Sequence, residues 1–397
     1  MSFAKLLILC LTFICARGLN LETLDCVIPF GSPQQWSTFW PVVFNQQGQL
    51  LKTMLVNDIE SVVIPSNTNV IVSCGPNYLK KQFKTEFVNV QCRGDGQFEL
   101  KNGFEVKTAK DLGCDLRSVQ EILTEVKGCP RDKTAVKFGL VNPVDHKAYI
   151  IGEACYCETA GKLLFAHIRR GDLLSYSLEI KDKDIFKAPA PSSTYKVDFM
   201  KAFRLDEFNN RLKTALKVEQ VPLFDMRNFV DDLFLPNRQL YSIKKLAWNY
   251  FVSHEPLLNY QLLKQDIADL EGNIDIYTGA HGVTTLKNKS GGKVPIYLDL
   301  EEKRFPVPEL IWIVVRHEKG EAAFMVFNDP SLNSELIEDK LNIRSKCNYM
   351  SWLKRLKEHN KHSIGRNGFV VCCDVKELAE EIPEFPLHIY MSSKNID

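Results

Sequence analysis

The sequence predicts an α+β protein of two domains: a small β-rich domain stapled by disulfides, then a larger one in which strands alternate with helices. Three observations carry that expectation. The chain of 397 residues is long enough to bury two cores. Short β-type runs separated by Gly, Pro and Asn turns fill residues 24–132. Cys26, Cys74, Cys92, Cys114 and Cys129 crowd into the same stretch, where a unit of about 110 residues gains most from cross-links.

The N-terminus explains the cysteines. Lys5 precedes an apolar run over residues 6–16, and the small residues Ala16 and Gly18 offer a cleavage site, so residues 1–18 read as a secretion signal. The run is too short to span a bilayer, and no later stretch approaches eighteen apolar residues. The expected protein is secreted and extracellular, with no membrane association. Losing Lys5 and Arg17 takes the formal charge from +1 to −1, which excludes a small, globally basic DNA-binding module and makes any polyanion surface local. Losing Cys10 and Cys15 leaves ten of the twelve cysteines, an even number that predicts a fully oxidised set. Structural zinc is the rival use, but Cys155-Tyr156-Cys157 and Cys372-Cys373 are too closely spaced for a zinc knuckle. Asn288-Lys289-Ser290 is a glycosylation sequon beside Gly291-Gly292, as in a surface turn.

In the first domain, residues 19–132, runs at 61–65, 69–73 and 86–91 predict strands. The second domain, residues 133–397, begins with strands at 148–151 and 163–168, and an amphipathic helix follows over 199–218 carrying Arg204, Arg211, Lys213 and Lys217. Further strands are expected at 274–279, 294–300 and 310–315, the last pairing with 322–328 across a turn at 318–320. The window 344–366 is the most basic in the chain: Arg344, Lys346, Lys354, Arg355, Lys357, Lys361 and Arg366 face a single acid, Glu358.

Three segments together resemble the DNA/RNA non-specific endonucleases, the ββα-metal nucleases. The likeness points to their secreted arthropod branch and the nuclease-like salivary proteins of blood-feeding flies. Ile276-Tyr277-Thr278-Gly279 with His281-Gly282-Val283 is similar to the family's tyrosine-threonine-glycine strand. Pro306-Val307-Pro308-Glu309-Leu310-Ile311-Trp312 resembles its proline-rich strand, with Ile313 where a lysine usually follows the tryptophan. The segment from Cys347 to Leu353, with Cys372, Cys373 and Val375 after it, resembles the family's carboxy-terminal cysteine segment, which implies a bond from Cys347 to Cys372 or Cys373. The implied fold is a ββα-metal nuclease-like domain after the β-rich leader.

The resemblance places a general-base histidine and a Mg²⁺-holding asparagine between residues 229 and 271, and this chain departs there. The arginine and histidine positions read Val230 and Asp232, beside Asp231. The element around Pro256 begins at Ser253, and the metal asparagine falls on Leu262. A carboxylate with an ordinary pKa near 3.9 is a much weaker base than imidazole, and leucine ligates no metal. Asp231, Asp232, Asn259 and Asp266 form the remaining candidate metal set, with a solvated loop as the alternative for the aspartates. His254 and His281 are possible substitute bases or ordinary surface groups. The reading that follows is a protein that binds DNA and RNA without sequence preference, needs no cofactor and cleaves little or not at all. Its contacts would come from Arg227, Arg238, Lys244 and Lys245 flanking the old site, with Lys354, Arg355 and Lys357 on the basic window. The alternative is an active Mg²⁺-dependent secreted endonuclease with a rebuilt site. Trp248, Trp312 and Trp352 read as core residues.

Overall fold

The structure, a computed structural model, describes residues 25–30, 40–57, 59–74, 85–100, 105–106, 108–114, 120–123, 126–146, 148–170, 205–222, 224–228, 249–253, 257–318, 320–328, 345–362 and 369–393. The chain divides into two compact units, Met1–Leu116 and Arg117–Asp397.

The first unit is built from β1 (Cys26–Pro29), β2 (Val42–Phe44), β3 (Met54–Val56), β4 (Ile59–Ile64), β5 (Asn69–Ser73), β6 (Phe87–Gly94), β7 (Gln97–Leu100) and β8 (Glu105–Val106). They form a three-stranded sheet ordered β1-β4-β3 and a five-stranded sheet ordered β2-β5-β6-β7-β8. Buried β-branched residues, among them Val62, Ile64, Val70, Val72 and Val90, supply its core. Cys26–Cys92 and Cys74–Cys114 cross-link it.

The second unit is dominated by an eight-stranded antiparallel sheet. Its strands are β9 (Gln120–Leu123), β10 (Thr134–Val141), β11 (Ala148–Cys157), β12 (Lys162–Arg170), β15 (Ile274–His281), β20 (Leu310–His317), β21 (Gly320–Phe327) and β22 (Phe369–Cys373). They lie side by side in chain order. Three two-stranded ribbons interrupt the series. These are β13 (Phe224–Asn228) with β14 (Asn249–Ser253), β16 (Thr285–Lys287) with β17 (Lys293–Pro295), and β18 (Tyr297–Asp299) with β19 (Arg304–Pro306). Helices α1 (Leu205–Leu216), α2 (Leu257–Ala268), α3 (Lys354–His362), α4 (Val375–Glu381) and α5 (Leu387–Ser393) complete the described elements.

This corrects the expected fold class. The described chain is mostly antiparallel β-sheet with few helices, and it does not form a clear ββα-metal fold. Residues 134–170 make three consecutive long strands joined by tight turns, so the second unit opens as a meander where strands alternating with helices were expected. The expected strand at 294–300 is also two strands in two ribbons. Ile296 breaks it: its side chain is fully buried and its amide donates to the Thr284 carbonyl at 2.9 Å.

One face of the large sheet buries Phe165, Trp312, Val314, Met325 and Val371 against Leu378, Ile382, Phe385 and Ile389 of the C-terminal segment. The two family-like motifs meet here. Gly279 lies opposite Trp312, and a Cβ on Gly279 would stand 2.5 Å from the indole and 2.4 Å from the Leu164 carbonyl. The glycine is therefore required by packing. On the other face Phe324 meets Trp352 edge-on at 5.8 Å, and Cys347 bonds Cys372.

None of the described residues between β12 and β15 joins the large sheet, and Arg170 fastens the last of them. Its guanidinium is mostly buried and donates to the carbonyls of Ile267 at 2.9 Å, Ala268 at 3.2 Å and Leu270 at 2.5 Å. Ile267 and Ala268 end α2 and Leu270 lies just past it, so the cation meets the end carbonyls and the negative end of the helix dipole. Burial lowers the Arg170 pKa to about 10 against the opposing charge of Asp269, so the group stays charged at neutral pH. From α2, Asp266 accepts hydrogen bonds from the amides of Arg355 and Leu356, both at 3.0 Å, and caps the start of α3.

The fully oxidised cysteine set is also corrected. Cys129–Cys155 and Cys347–Cys372 join the two disulfides of the first unit, while Cys157 and Cys373 are free thiols. Adjacent residues of a strand face opposite sides, so Cys372 reaches Cys347 while Cys373 points into the core. Burial pushes the Cys373 thiol up to about 12. Cys157 is different. Burial raises its pKa, but the Thr159 hydroxyl 3.2 Å away, the Ala160 amide and the charge of Lys133 outweigh that and lower it overall.

Two outcomes are expected. Since thiolate character controls alkylation, iodoacetamide should modify the native protein at Cys157 and leave Cys373 intact until denaturant is added, as peptide mass mapping would show. Replacing Arg170 with Met should cost about 3 kcal/mol in urea denaturation, because one buried and two partly buried carbonyls lose a charged donor. A loss under about 1 kcal/mol would show that the carbonyls find other donors.

Candidate nucleic-acid interface

Of the residues expected to contact nucleic acid or metal, Val230, Asp231, Asp232, Arg238, Lys244 and Lys245 lie outside the described residues, as do His254 and Trp248. Arg227 falls on β13 and Ser253 on β14, paired with Tyr250 and Phe224 respectively. Asn259, Leu262 and Asp266 are all on α2, Asn259 and Asp266 buried and Leu262 half-buried. Leu262 offers no donor atom. Asp266 spends both carboxylate oxygens on α3, one on the Leu356 amide and the other on the amide and guanidinium of Arg355. The described members of the expected donor set therefore do not fit Mg²⁺. Among the described residues, no group of three or more His, Cys, Asp or Glu is placed to hold a metal.

The basic window is partly neutralised by acids distant in sequence. Arg355 pairs with Asp266 at 3.3 Å and Asp269 at 2.6 Å, and Lys346 pairs with Asp374 and Glu377. Lys354 is exposed. Lys357 donates to the Asn348 carbonyl at 3.3 Å, which holds α3 against the turn bearing Tyr349. That tyrosine is 88% exposed, an aromatic face available for stacking next to the residue that holds Lys357. His281 lies 2.9 Å from Glu384, which also receives Lys162 at 2.8 Å. The His281 hydrogen bond, and after it that of Lys162, hold that carboxyl down at about 2 against its partial burial.

A second basic surface arises where α1 meets the β16–β17 ribbon. The ribbon turns through Asn288, whose Oδ1 accepts from the Ser290 amide at 3.1 Å, the Ser290 hydroxyl at 2.8 Å and the Gly292 amide at 2.8 Å. Gly291 sits at φ +86°, a left-handed value glycine adopts without strain. This turn sets the register Leu286↔Val294 and Lys287↔Lys293. Side chains alternate between faces of a ribbon. Leu286 is therefore turned inward and buried, while Lys287 and Lys293 stand opposite one another, both exposed.

The Lys289 amide donates to the Leu216 carbonyl at 2.9 Å and joins the turn to the last turn of α1. There Lys213 in the last turn of α1 and Lys217 just past its end, at φ +56°, are both exposed. Lys213 and Lys217 at the end of α1 and Lys287, Lys289 and Lys293 on the ribbon it touches are all exposed, and none has a salt bridge among the described residues. The helix lysines were legible in the amphipathic pattern; the hairpin lysines were missed. Their signal was the Asn-x-x-Gly-Gly turn between Lys287 and Lys293, which brings residues six apart in sequence face to face.

Comparison with family models and with curated proteins finds no match. Among solved structures the chain is similar to one in the crystal structure of the EndoG/EndoGI complex, a study of the mechanism of EndoG inhibition. The identity is 9% and the TM-score 0.26, over 45% of this chain and 71% of that one. A likeness at that level carries no argument about this protein.

Two like charges directly opposite across a ribbon repel, so the Lys287–Lys293 pair costs the free protein stability. Replacing Lys293 with Glu should convert repulsion into attraction and raise stability by about 0.5 kcal/mol at low salt, an increment that fades as salt screens it. Urea denaturation at two ionic strengths measures both effects.

Proposed function

We propose that this chain is a secreted protein that binds DNA and RNA through their phosphate backbones, without sequence preference and with little or no cleavage. The observation that carries the reading is the set of exposed lysines at the end of α1 and on the β16–β17 ribbon joined to it, with Lys287 and Lys293 face to face. Five exposed cations without described acidic partners, two of them facing each other, make a surface that gains when a polyanion settles on it. Neutralising phosphates releases condensed counterions, a driving force that needs neither a metal nor a general base. Lysine is a compact point charge on a flexible stem, suited to a backbone contacted in any register.

Lys354, Lys357 and the exposed Tyr349 extend the reading to a second surface, and Arg227, Arg238, Lys244 and Lys245 belong to the same proposal. Arg355 contributes less, because Asp266 and Asp269 already occupy its guanidinium. Four disulfides support an oxidising, extracellular setting, and no described helix is long and apolar enough to cross a membrane. Little cleavage is expected because Val230, Asp232, Ser253 and Leu262 stand where the resembled family carries its arginine, base and metal-site residues.

Gel shifts with duplex DNA and with RNA of several sequences, run over a salt series, test this. Affinity should fall with a log–log slope of about −0.9 per phosphate neutralised on duplex, be indifferent to chelator, and vary little with sequence. Replacing Lys287 and Lys293 together with Ala should weaken every sequence alike and flatten the slope by about two. Salt-independent binding or none at physiological salt would overturn the proposal, and Mg²⁺-dependent digestion of plasmid would overturn its non-cleaving part. Binding confined to sulfated polysaccharide would assign the lysines to another polyanion.

A further inference from the structure

A cavity lies within the large sheet, away from the lysines of the ribbon and of α3. It holds about 490 Å³ and is lined by Val126, Lys127, Lys137, Ile150, Gly152, Glu153, His167 and Arg169. The strand register builds it. Lys137 on β10, Glu153 on β11, His167 on β12 and Tyr277 on β15 are successive cross-strand partners. Arg169, Asp275, Arg316 and Glu321 form a parallel row one pleat away. His167, only 2% exposed, is fixed from three sides: Nε2 lies 2.7 Å from Asp275, Nδ1 3.4 Å from Glu153, and the ring stacks on Tyr277 with centroids 4.0 Å apart. The floor of the cavity is therefore rigid.

Its concavity comes from a β-bulge. Phe138 pairs with Gly152 and Gly139 with Ile150, leaving Ile151 as the extra residue of β11. The bulge turns Ile150 onto the face that carries Lys137 and Glu153. A Cβ on Gly139 would stand 2.0 Å from the Tyr149 carbonyl, and one on Gly152 2.4 Å from the His167 carbonyl, so the bulge needs both glycines. The wall formed by Val126 and Lys127 is pinned to β11 through the Cys129–Cys155 bond.

The lining sets Lys127, Lys137 and Arg169 beside the carboxylate of Glu153, with apolar Val126 and Ile150 next to them. Arg169 is shared with Asp275 at 3.5 Å, so Lys127 and Lys137 carry most of the cationic character offered to a ligand. A ligand that suits it carries two negative charges on one compact group and a small apolar body, and the volume lies in the range of ordinary small-molecule sites. We propose that this cavity binds a small organic phosphate monoester, its phosphoryl group held chiefly by Lys127 and Lys137, with Arg169 shared between it and Asp275, and its organic part against Val126 and Ile150. The proposal does not rest on nucleic-acid binding by the lysine ribbon.

Isothermal titration calorimetry of the full chain with phenyl phosphate, and with benzoate as a singly charged analogue of similar shape, tests it. Phenyl phosphate should bind saturably at one site and more tightly than benzoate. Replacing Lys127 and Lys137 together with Ala should weaken it by about tenfold or more, since each removes a charged donor. Replacing Lys287 and Lys293 with Ala should leave it unchanged. A Lys137→Glu variant, whose melting curve reports its folding, should abolish binding. Absence of saturable heat, equal affinity for the two probes, or undiminished binding in the Lys127 and Lys137 variant would overturn the assignment.

Discussion

The insertion of Arg170 into the end of α2 is the contact on which the arrangement of the second unit turns. Strand β12 ends with this residue, none of the described residues rejoins the sheet before Ile274, and the pairing of β12 with β15 joins parts of the chain about a hundred residues apart. Loop-closure entropy opposes such pairing, and the side chain at the exit point answers it by gripping the helix just before the return. The grip is electrostatic and directional, three carbonyls facing one buried guanidinium. It is extended by a second contact of the same kind, because Asp266 on that helix caps α3. From α3 the chain continues to β22, which the Cys347–Cys372 bond ties to the segment before α3. Sheet, helix, helix and sheet are thus linked by two charge–dipole contacts and one covalent bond.

The sheet was legible in parts, and the reasons differ by residue. Residues 69–73 read correctly because Val70, Ile71 and Val72 are β-branched and bounded by turn residues. The β20–β21 hairpin was visible in its apolar runs and in Gly320, which adopts φ +125°. The fold class was not legible. Antiparallel meanders and alternating strand–helix units both present apolar runs separated by polar segments, and a resemblance carried by Tyr277, Gly279 and Trp312 could not tell them apart. Those residues prove to be packing partners across β15 and β20.

Charge and cysteine pairing were legible only in composition. Arg355 looked unbalanced because its acids, Asp266 and Asp269, lie almost ninety positions earlier. An even number of cysteines suggested complete pairing, but partners must also project from the correct strand face, and Cys373 does not. The lysine ribbon shows the reverse case. Lys287 and Lys293 are unremarkable in sequence and become a concentrated charge only once the turn has set their register.

That turn has one more property. Asn288 uses its side-chain oxygen to build the turn, which leaves the nitrogen of the same amide as the atom an oligosaccharide would occupy in the Asn-Lys-Ser sequon. A glycan attached there would rise from the centre of the lysine surface, between Lys287 and Lys289. The choice of expression host thereby becomes a choice of surface: protein from a bacterial cytoplasm would present bare lysines, whereas material sugar-modified at Asn288 in a eukaryotic secretory route would present them around a bulky neutral stem.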